Sequence, residues 1–249
     1  MTSSSAASPA ATNNTPNLTV RRKRERQSFD PAVLEQILAE GLIAHVAMVR
    51  DGMPIVLPYL YGTGDLGDGR GTQLLLHGST GGGLFLDAGT EGVPVSVGIT
   101  HLDGLVYARS LHDSSANYRS AMIYGCAQPV PLDLRRRALW IVGEHLMPGR
   151  RAEVREMTER EVAATQVLAV PLDHVSVKVR CAGTGETADD GEDHGVWAGV
   201  LPLSTCAGEP IVSGLSDADA AVPPSVAGLV RTLDGRAGAS RAAQVAGSL

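Results

Sequence analysis

The sequence predicts a mainly β protein: an antiparallel barrel of six or more strands, with few helices flanking it. Three observations predict it. Short runs rich in β-branched residues recur through the middle of the chain. Two pairs of these runs are joined by Asp-Gly, at residues 51–52 and 103–104. The composition is poor in aromatics (4%) and rich in turn formers, with 29 glycines and 14 prolines in 249 residues. Asp-Gly between such runs signals a hairpin because the favoured tight turn needs positive φ at both central residues. Hairpin spacing with little helical periodicity favours an antiparallel sheet that closes on itself.

Taken in order, the first 20 residues, MTSSSAASPAATNNTPNLTV, carry no charged side chain and no apolar run. They read as disordered, with nothing of a secretory signal. RRKRER (21–26) is the one dense basic run and reads as a solvated arm. SFDPAVLEQILAEG (28–41) is a short helix. Ser28 or Asp30 caps it, Pro31 takes the first helical position, Leu34, Ile37 and Leu38 share a face, and Gly41 ends it.

IAHVAMVR and MPIVLPYLY follow as strands about Asp51-Gly52. LLLHGSTGGGLF (74–85) runs from a strand through glycines toward a helix. VPVSVGITHL and LVYARS flank Asp103-Gly104, and RSAMIYGCAQPV (119–130) and VLAVPLDHVSVKVR (167–180) add strands, with LDLRRRALWIVGEHLM helical between them. AGTGETADDGEDHG (182–195) is an acidic loop. GVWAGVLPL turns apolar again, and beyond about residue 235 the Ala/Gly/Ser-rich chain reads as frayed. The expected organisation is a disordered arm over 1–27, a folded domain over 28–212, and a partly disordered tail over 213–249.

Charge and motifs narrow the function. A net charge of -6 argues against a nucleic-acid surface, which needs clustered Lys and Arg. No apolar segment approaches the roughly 18 residues of a membrane span. Cys126, Cys181 and Cys206 form no CxxC pair and read as free thiols of a reducing cytoplasm. GTGDLG (62–67) fits GxGxxG, but DGRGTQ follows where a helix is required, so a hairpin loop is expected. HGSTGGG lacks the Lys-Ser/Thr end of a P-loop, and HGSTG is not GxSxG. The seven histidines show no HExxH and no close ligand pair, so no metal site is assigned. At His77-Gly78-Ser79-Thr80 a strand end offers N–H groups and two hydroxyls to an anion, most simply a phosphate. The residues alone favour a plain, flexible strand-to-helix turn.

The order of these pieces, from the first helix through LIAHVAMVRDGMPIVLPYLY, LLLHGSTGGGLF, VPVSVGITHLDGLVYARS and NYRSAMIYGCA to the closing GVWAGVLPL, resembles the FMN-binding split-barrel superfamily. It is most similar to the pyridoxamine 5'-phosphate oxidase-like proteins that include the nitroimidazole-resistance flavoproteins. The resemblance spans roughly residues 28 to 205. It implies a six-stranded antiparallel split β-barrel with flanking α over residues 28–212, FMN as cofactor, and a homodimer whose barrels share each flavin site.

It also implies roles for particular residues. Val56, Leu57, Pro58 and Tyr59 run along the flavin ring, with backbone groups of the first three at its edge. His77, Gly78, Ser79 and Thr80 meet the ribityl chain and phosphate, and His77, near the reactive ring, is the candidate catalytic proton donor. Tyr118, Arg119 and Ser120 lie at the cofactor too, the Arg119 fork suiting phosphate. The implied activity passes electrons from NADH or NADPH to a small organic acceptor, a nitro compound or quinone.

One departure argues against vitamin B6 oxidation: GEPIVSGLSDADAAVPPSV is acidic where the oxidases are basic. The alternatives are a deazaflavin (F420)-dependent reductase on the same barrel, or a non-catalytic flavin or haem binder or redox sensor. For haem, His45, His101 or His174 would be the axial ligand.

Overall fold

The computed structural model describes residues 16–185, 195–217 and 219–247. A two-residue strand β1 (Gln27–Ser28) leads into helix α1 (Pro31–Glu40). The Asp30 carboxylate accepts the Ala32 N–H at 2.9 Å, and Pro31 opens the helix, since its missing N–H is not needed there. The fully buried Tyr61 donates its hydroxyl to the Leu38 carbonyl at 2.7 Å, fastening α1 across one end of the barrel.

Strands β2 (Ile43–Arg50) and β3 (Met53–Asp65) form the expected hairpin, with Asp51 and Gly52 at φ 51° and 76°. β4 (Thr72–Ser79), β5 (Val93–Tyr107), β6 (Ser115–Pro129) and β7 (Thr165–Pro171) complete the ring. The antiparallel pairings run β6–β7–β4–β3–β2–β5 and return to β6, so six strands close on themselves. β5 and β6 outrun the ring. Beyond it β8 (Val175–Arg180) pairs with β6, β9 (Gly199–Pro202) with β5, and β1 with β8. β6 meets β7 only at Gln128 and Pro129 and β8 over Tyr118–Ile123, which is where the barrel splits. β2 meets β5 over only His45, Val46 and Ala47.

The leucine run of β4 does not alternate because the strand lies between two cores. Leu74 and Leu76, with Leu168 and Val170 of β7, point into the barrel among Val46, Val97, Ile99 and Ile123. Leu75, Val167 and Ala169 point outward beneath helix α3 (Leu132–Leu146), against Ala138 and Val142. The GTGDLG match has the same origin. A Cβ at Gly62 would stand 2.7 Å from the Val142 Cα, and one at Gly64 2.7 Å from the Ile141 side chain, so these glycines let α3 cross β3 closely. Among the described residues, three further α-helices are α2 (Gly83–Ala88), α4 (Glu159–Ala164) and α5 (Pro224–Ala246). Among the described residues, no helix is long and apolar enough to cross a membrane.

Four sequence expectations are corrected. Asp103-Gly104 is not a turn: β5 passes through it with a register shift between Leu102 and Gly104, because Arg119 across the pair holds the Asp103 carboxylate. The run 167–180 is two strands, broken at Leu172-Asp173-His174. Residues 16–27 are laid along β8 rather than loose, the Leu18 carbonyl accepting from Gln27 and Ser176; residues 1–15 lie outside the described residues, as does most of the acidic loop, 186–194. The chain end is helical, since alanine favours helix and α5 has anchors. Ser225 bonds Glu153 at its start, and the buried Asn117 amide donates to Gln244 near its end.

Candidate functional site

The site begins where two pairings stop at different places. β4 stays paired with β7 as far as Ser79↔Thr165, but with β3 only as far as Leu76↔Tyr61. From His77 onward the β3-facing edge of β4 is therefore open. Across the gap stand Val56, Leu57, Pro58 and Tyr59, paired with β2 on their other side and with no strand on this one. α2 lies in the gap: its Phe85 packs edge-on to Tyr59, centroids 5.9 Å apart, and a Cβ at Gly78 would meet the Phe85 ring at 2.3 Å. The structure thus brings the Val56–Tyr59 stretch and the His77–Thr80 turn together, although no residue pattern in either announces the other.

His77 is the odd member. Its Nδ1 is shielded from solvent and, among the described residues, has no hydrogen-bond partner, an arrangement that calls for a ligand or water. Burial holds its pKa below the ordinary 6.5, so the ring is neutral at pH 7. His145, whose Nε2 meets the Gly41 carbonyl at 2.8 Å, is lowered as well, again chiefly by burial. For both rings the unfolded chain takes the proton more readily. Their stabilisation is complete above about pH 6.5 and is lost as pH falls through the lowered folded values. Urea midpoints of the wild type should therefore drop between pH 7 and 5, and His77→Gln should remove part of that drop; identical pH slopes would show that His77 contributes nothing to it.

The turn spends much of its own donor capacity. Thr80 N–H reaches the Ala164 carbonyl at 3.3 Å, Gly81 N–H the Ser79 Oγ at 3.3 Å, and Gly82 N–H the Ser79 carbonyl at 2.8 Å. Ser79 and Thr80 are exposed at the turn, and His77 beside them is half-buried. A cation that sequence reasoning missed stands at the start of α2, which follows this turn. Arg50, at the end of β2, pairs with Asp87 of α2 (Nε–Oδ2 2.6 Å), and its guanidinium lies against Gly83. The two partners are 37 residues apart, so no local signal could reveal the pair.

Tyr118, Arg119 and Ser120 lie elsewhere. His77 pairs with Val167, next to the Leu168 that meets Pro129 of β6, and Arg119 is ten residues back along β6. That is roughly 33 Å of strand. Arg119 sends Nε and Nη2 to Asp103 at 3.0 and 2.8 Å and Nη1 to Glu40 at 2.7 Å. Tyr118 pairs in register with Arg180, and the Ser120 hydroxyl donates to the Lys178 carbonyl at 3.3 Å. The three histidines suggested for haem also part company. His101 Nε2 meets the Ile37 carbonyl at 3.0 Å, His174 sits in the β7–β8 turn, and His45 is exposed on the outer face of β2.

With this geometry in view, comparison with known proteins is informative. A family model described as pyridoxamine 5'-phosphate oxidase matches residues 30–179. The structure of the FAD and haem binding protein from Mycobacterium smegmatis is 37% identical, with 82% of this chain and 97% of that one covered and a TM-score of 0.75. The flavocytochrome Anf3 from Azotobacter vinelandii is 27% identical over 84% of this chain and 94% of that one, TM-score 0.74. A 5-nitroimidazole antibiotic resistance protein from Bacteroides thetaiotaomicron shares the fold at 21% identity, covering 61% of this chain and 86% of that one, TM-score 0.50. Comparison with curated proteins found no match.

Proposed function

Because the chain belongs to the pyridoxamine 5'-phosphate oxidase family, with the split-barrel fold of flavin-binding proteins, we propose that it is a flavin-dependent oxidoreductase that takes electrons from NADH or NADPH and delivers them to a small organic acceptor such as a nitro compound or quinone. The observation that carries this reading is the open edge between β3 and β4 and, beside it, a His77 Nδ1 with no partner among the described residues.

These residues fit a flavin. The free strand edge of Val56–Tyr59 suits the polar rim of the ring, and the Ser79 and Thr80 hydroxyls, with Arg50 at the start of α2, suit the ribityl phosphate. FMN is the smallest ligand with all these parts, and FAD, named for the Mycobacterium smegmatis protein, shares them. When bound, the flavin supplies the electron chemistry. The chain's own part is to hold the ring, keep water from one side with Phe85 and Tyr59, and offer neutral His77 for proton transfer.

The exposed face of β2 and β3, with Ile43, Val49, Val56 and Leu60, asks for a cover, and a second copy packed barrel to barrel is the proposed one. The unpaired Cys126, Cys181 and Cys206 accord with a cytoplasmic setting. A second reading, a non-catalytic carrier of flavin and haem, is favoured by the 37% identical protein that binds both.

Titration of the purified protein with FMN, FAD and a deazaflavin, followed anaerobically by NADH and NADPH, separates the readings. Saturable flavin uptake, bleaching by a nicotinamide and reoxidation by nitroaromatics or quinones is the expected result. Flavin held but never bleached turns the decision to the carrier, and uptake of the deazaflavin alone assigns that cofactor. Refusal of every flavin sinks both readings.

A further inference from the structure

The basic run at 21–26 has no part in the flavin reading, and the structure holds it in place. Gln27 and Ser28 pair with Lys178 and Val177 of β8. The Gln27 amide accepts from the Val20 N–H at 2.9 Å and donates to the Leu18 carbonyl at 3.0 Å, and Ser176 of β8 donates to that carbonyl at 2.9 Å. The run is therefore a loop whose two ends are tied together. Within it the chain turns back at Lys23, φ 57°, into a 3-10 turn, Arg24–Arg26, closed by the Arg26 N–H on the Lys23 carbonyl at 3.1 Å. Arg21, Arg22, Lys23 and Arg24 are exposed there, and Arg26 is half-buried.

Among the described residues, none of these five cationic side chains makes an ion pair or a hydrogen bond. The strand beneath adds to their charge. Lys178 lies opposite Gln27, and the pKa of Arg180 is lowered by burial and then by the Arg26 charge close to it. Arg180 is itself spent on Asn117 and on the carbonyls of Ala182 and Gly183. Glu25 is the run's one carboxylate, on a chain whose net charge is -6. An otherwise acidic molecule thus carries one strongly positive pole, and such a field attracts and orients a negative partner. Phe29, three residues past Arg26 and so within about 10 Å of chain, is 84% exposed.

We propose that this loop docks the protein on an anionic lipid surface, with Arg21, Arg22, Lys23 and Arg24 among the headgroups and Phe29 in the interface. Clustered basic residues and an apolar side chain together are what hold a peripheral protein on a charged bilayer. A nucleic acid is read by polar side chains at its base edges. Here the polar side chains are turned inward: Gln27 ties the loop, Asn17 accepts from the Thr19 N–H at 3.0 Å, and Ser28 from the Asp30 N–H at 3.3 Å. What remains is charge and one ring, on a turn that suits a plane. β8, β6 and β5 separate this edge from β2, so the lipid and the second copy do not compete for one surface.

The test is co-sedimentation of the full chain with unilamellar vesicles of phosphatidylcholine, alone or with one-third phosphatidylglycerol, at about 0.15 M salt. Binding to the anionic vesicles only, and its release at about 1 M salt, is expected. Arg21→Gln, Arg22→Gln, Lys23→Gln and Arg24→Gln together should lower the partition about tenfold or more, and Phe29→Ala should lower it less. Arg231→Gln with Arg241→Gln, which removes two exposed charges of α5, should bind as wild type. The quadruple variant should melt with the wild type, since those side chains hold nothing within the protein. A wild type that ignores the anionic vesicles, or a quadruple variant that binds them fully, overturns the proposal. Duplex DNA bound as tightly as the vesicles at the same salt overturns it as well, making the loop a general polyanion site. None of these outcomes bears on the flavin titration.

Discussion

Arg119→Ala should lower the free energy of unfolding by about 3 to 5 kcal/mol, the usual cost of removing one partner from a buried charge cluster. The guanidinium is 18% exposed and joins Asp103 (10%) and Glu40 (19%), so one side chain ties α1 to β5 and β6. Its bonds to Asp103, ahead of those to Glu40, outweigh burial and raise its pKa still further. Burial alone would raise the pKa of Glu40, but hydrogen bonds from Gln36 and Arg119 outweigh it and the value falls below the ordinary 4.5.

A lowered carboxylate pKa gives stability that is present above about 4.5 and lost as pH drops through the folded value. The gap between wild type and Arg119→Ala should therefore narrow in acid. Arg119→Lys should recover little, because an ammonium cannot fork between two carboxylates. Arg119→Met combined with Glu40→Gln and Asp103→Asn should recover most of the loss. Urea denaturation at pH 7 and 4 checks all of this; a loss under about 1 kcal/mol for Arg119→Ala would reduce the cluster to an ordinary surface pair.

Gly62→Ala is the second large effect, about 2 to 3 kcal/mol by overpacking. The new methyl would lie 2.7 Å from the Val142 Cα and 3.2 Å from the Ile141 carbonyl oxygen. Both are helix backbone, which cannot rotate aside, so α3 must withdraw from β3 and loosen Leu66, Leu75 and Val167 beneath it. Gly143→Ala, within α3 and with its nearest neighbour 3.9 Å away at Trp140, is the matched control. It should be neutral or stabilise by up to about 1 kcal/mol, since glycine weakens helix interiors. Equal melting shifts for the two variants would show that the close crossing is not what position 62 provides.

What was legible in the sequence was local. Asp30, Pro31 and Gly41 delimit α1 because capping acts within a few residues, and Asp51-Gly52 turns because nothing distant competes for it. The same dipeptide at 103–104 does not turn, because a residue 16 positions later claims its carboxylate. Arg119 shows the same limit: its side-chain chemistry suits a phosphate, but its carboxylate partners lie 16 and 79 residues away. The convergence of Val56–Tyr59 with His77–Thr80 came from resemblance to a family, since it depends on where strand pairing ceases. Arg50 was invisible for the same reason. The frayed end expected past about residue 235 is instead helix as far as Ala246, because in composition alanine and glycine pull opposite ways until a buried amide pair decides the matter.

The ring's pairing is uneven. β7, β4, β3 and β2 form one long-paired ladder and β5 with β6 another, while the junctions between them hold two and three residue pairs. Cohesion between the halves thus resides in the oily interior more than in backbone bonds. Such cohesion fades on chilling while the ladders persist, so the molecule's cold-labile points are its two seams.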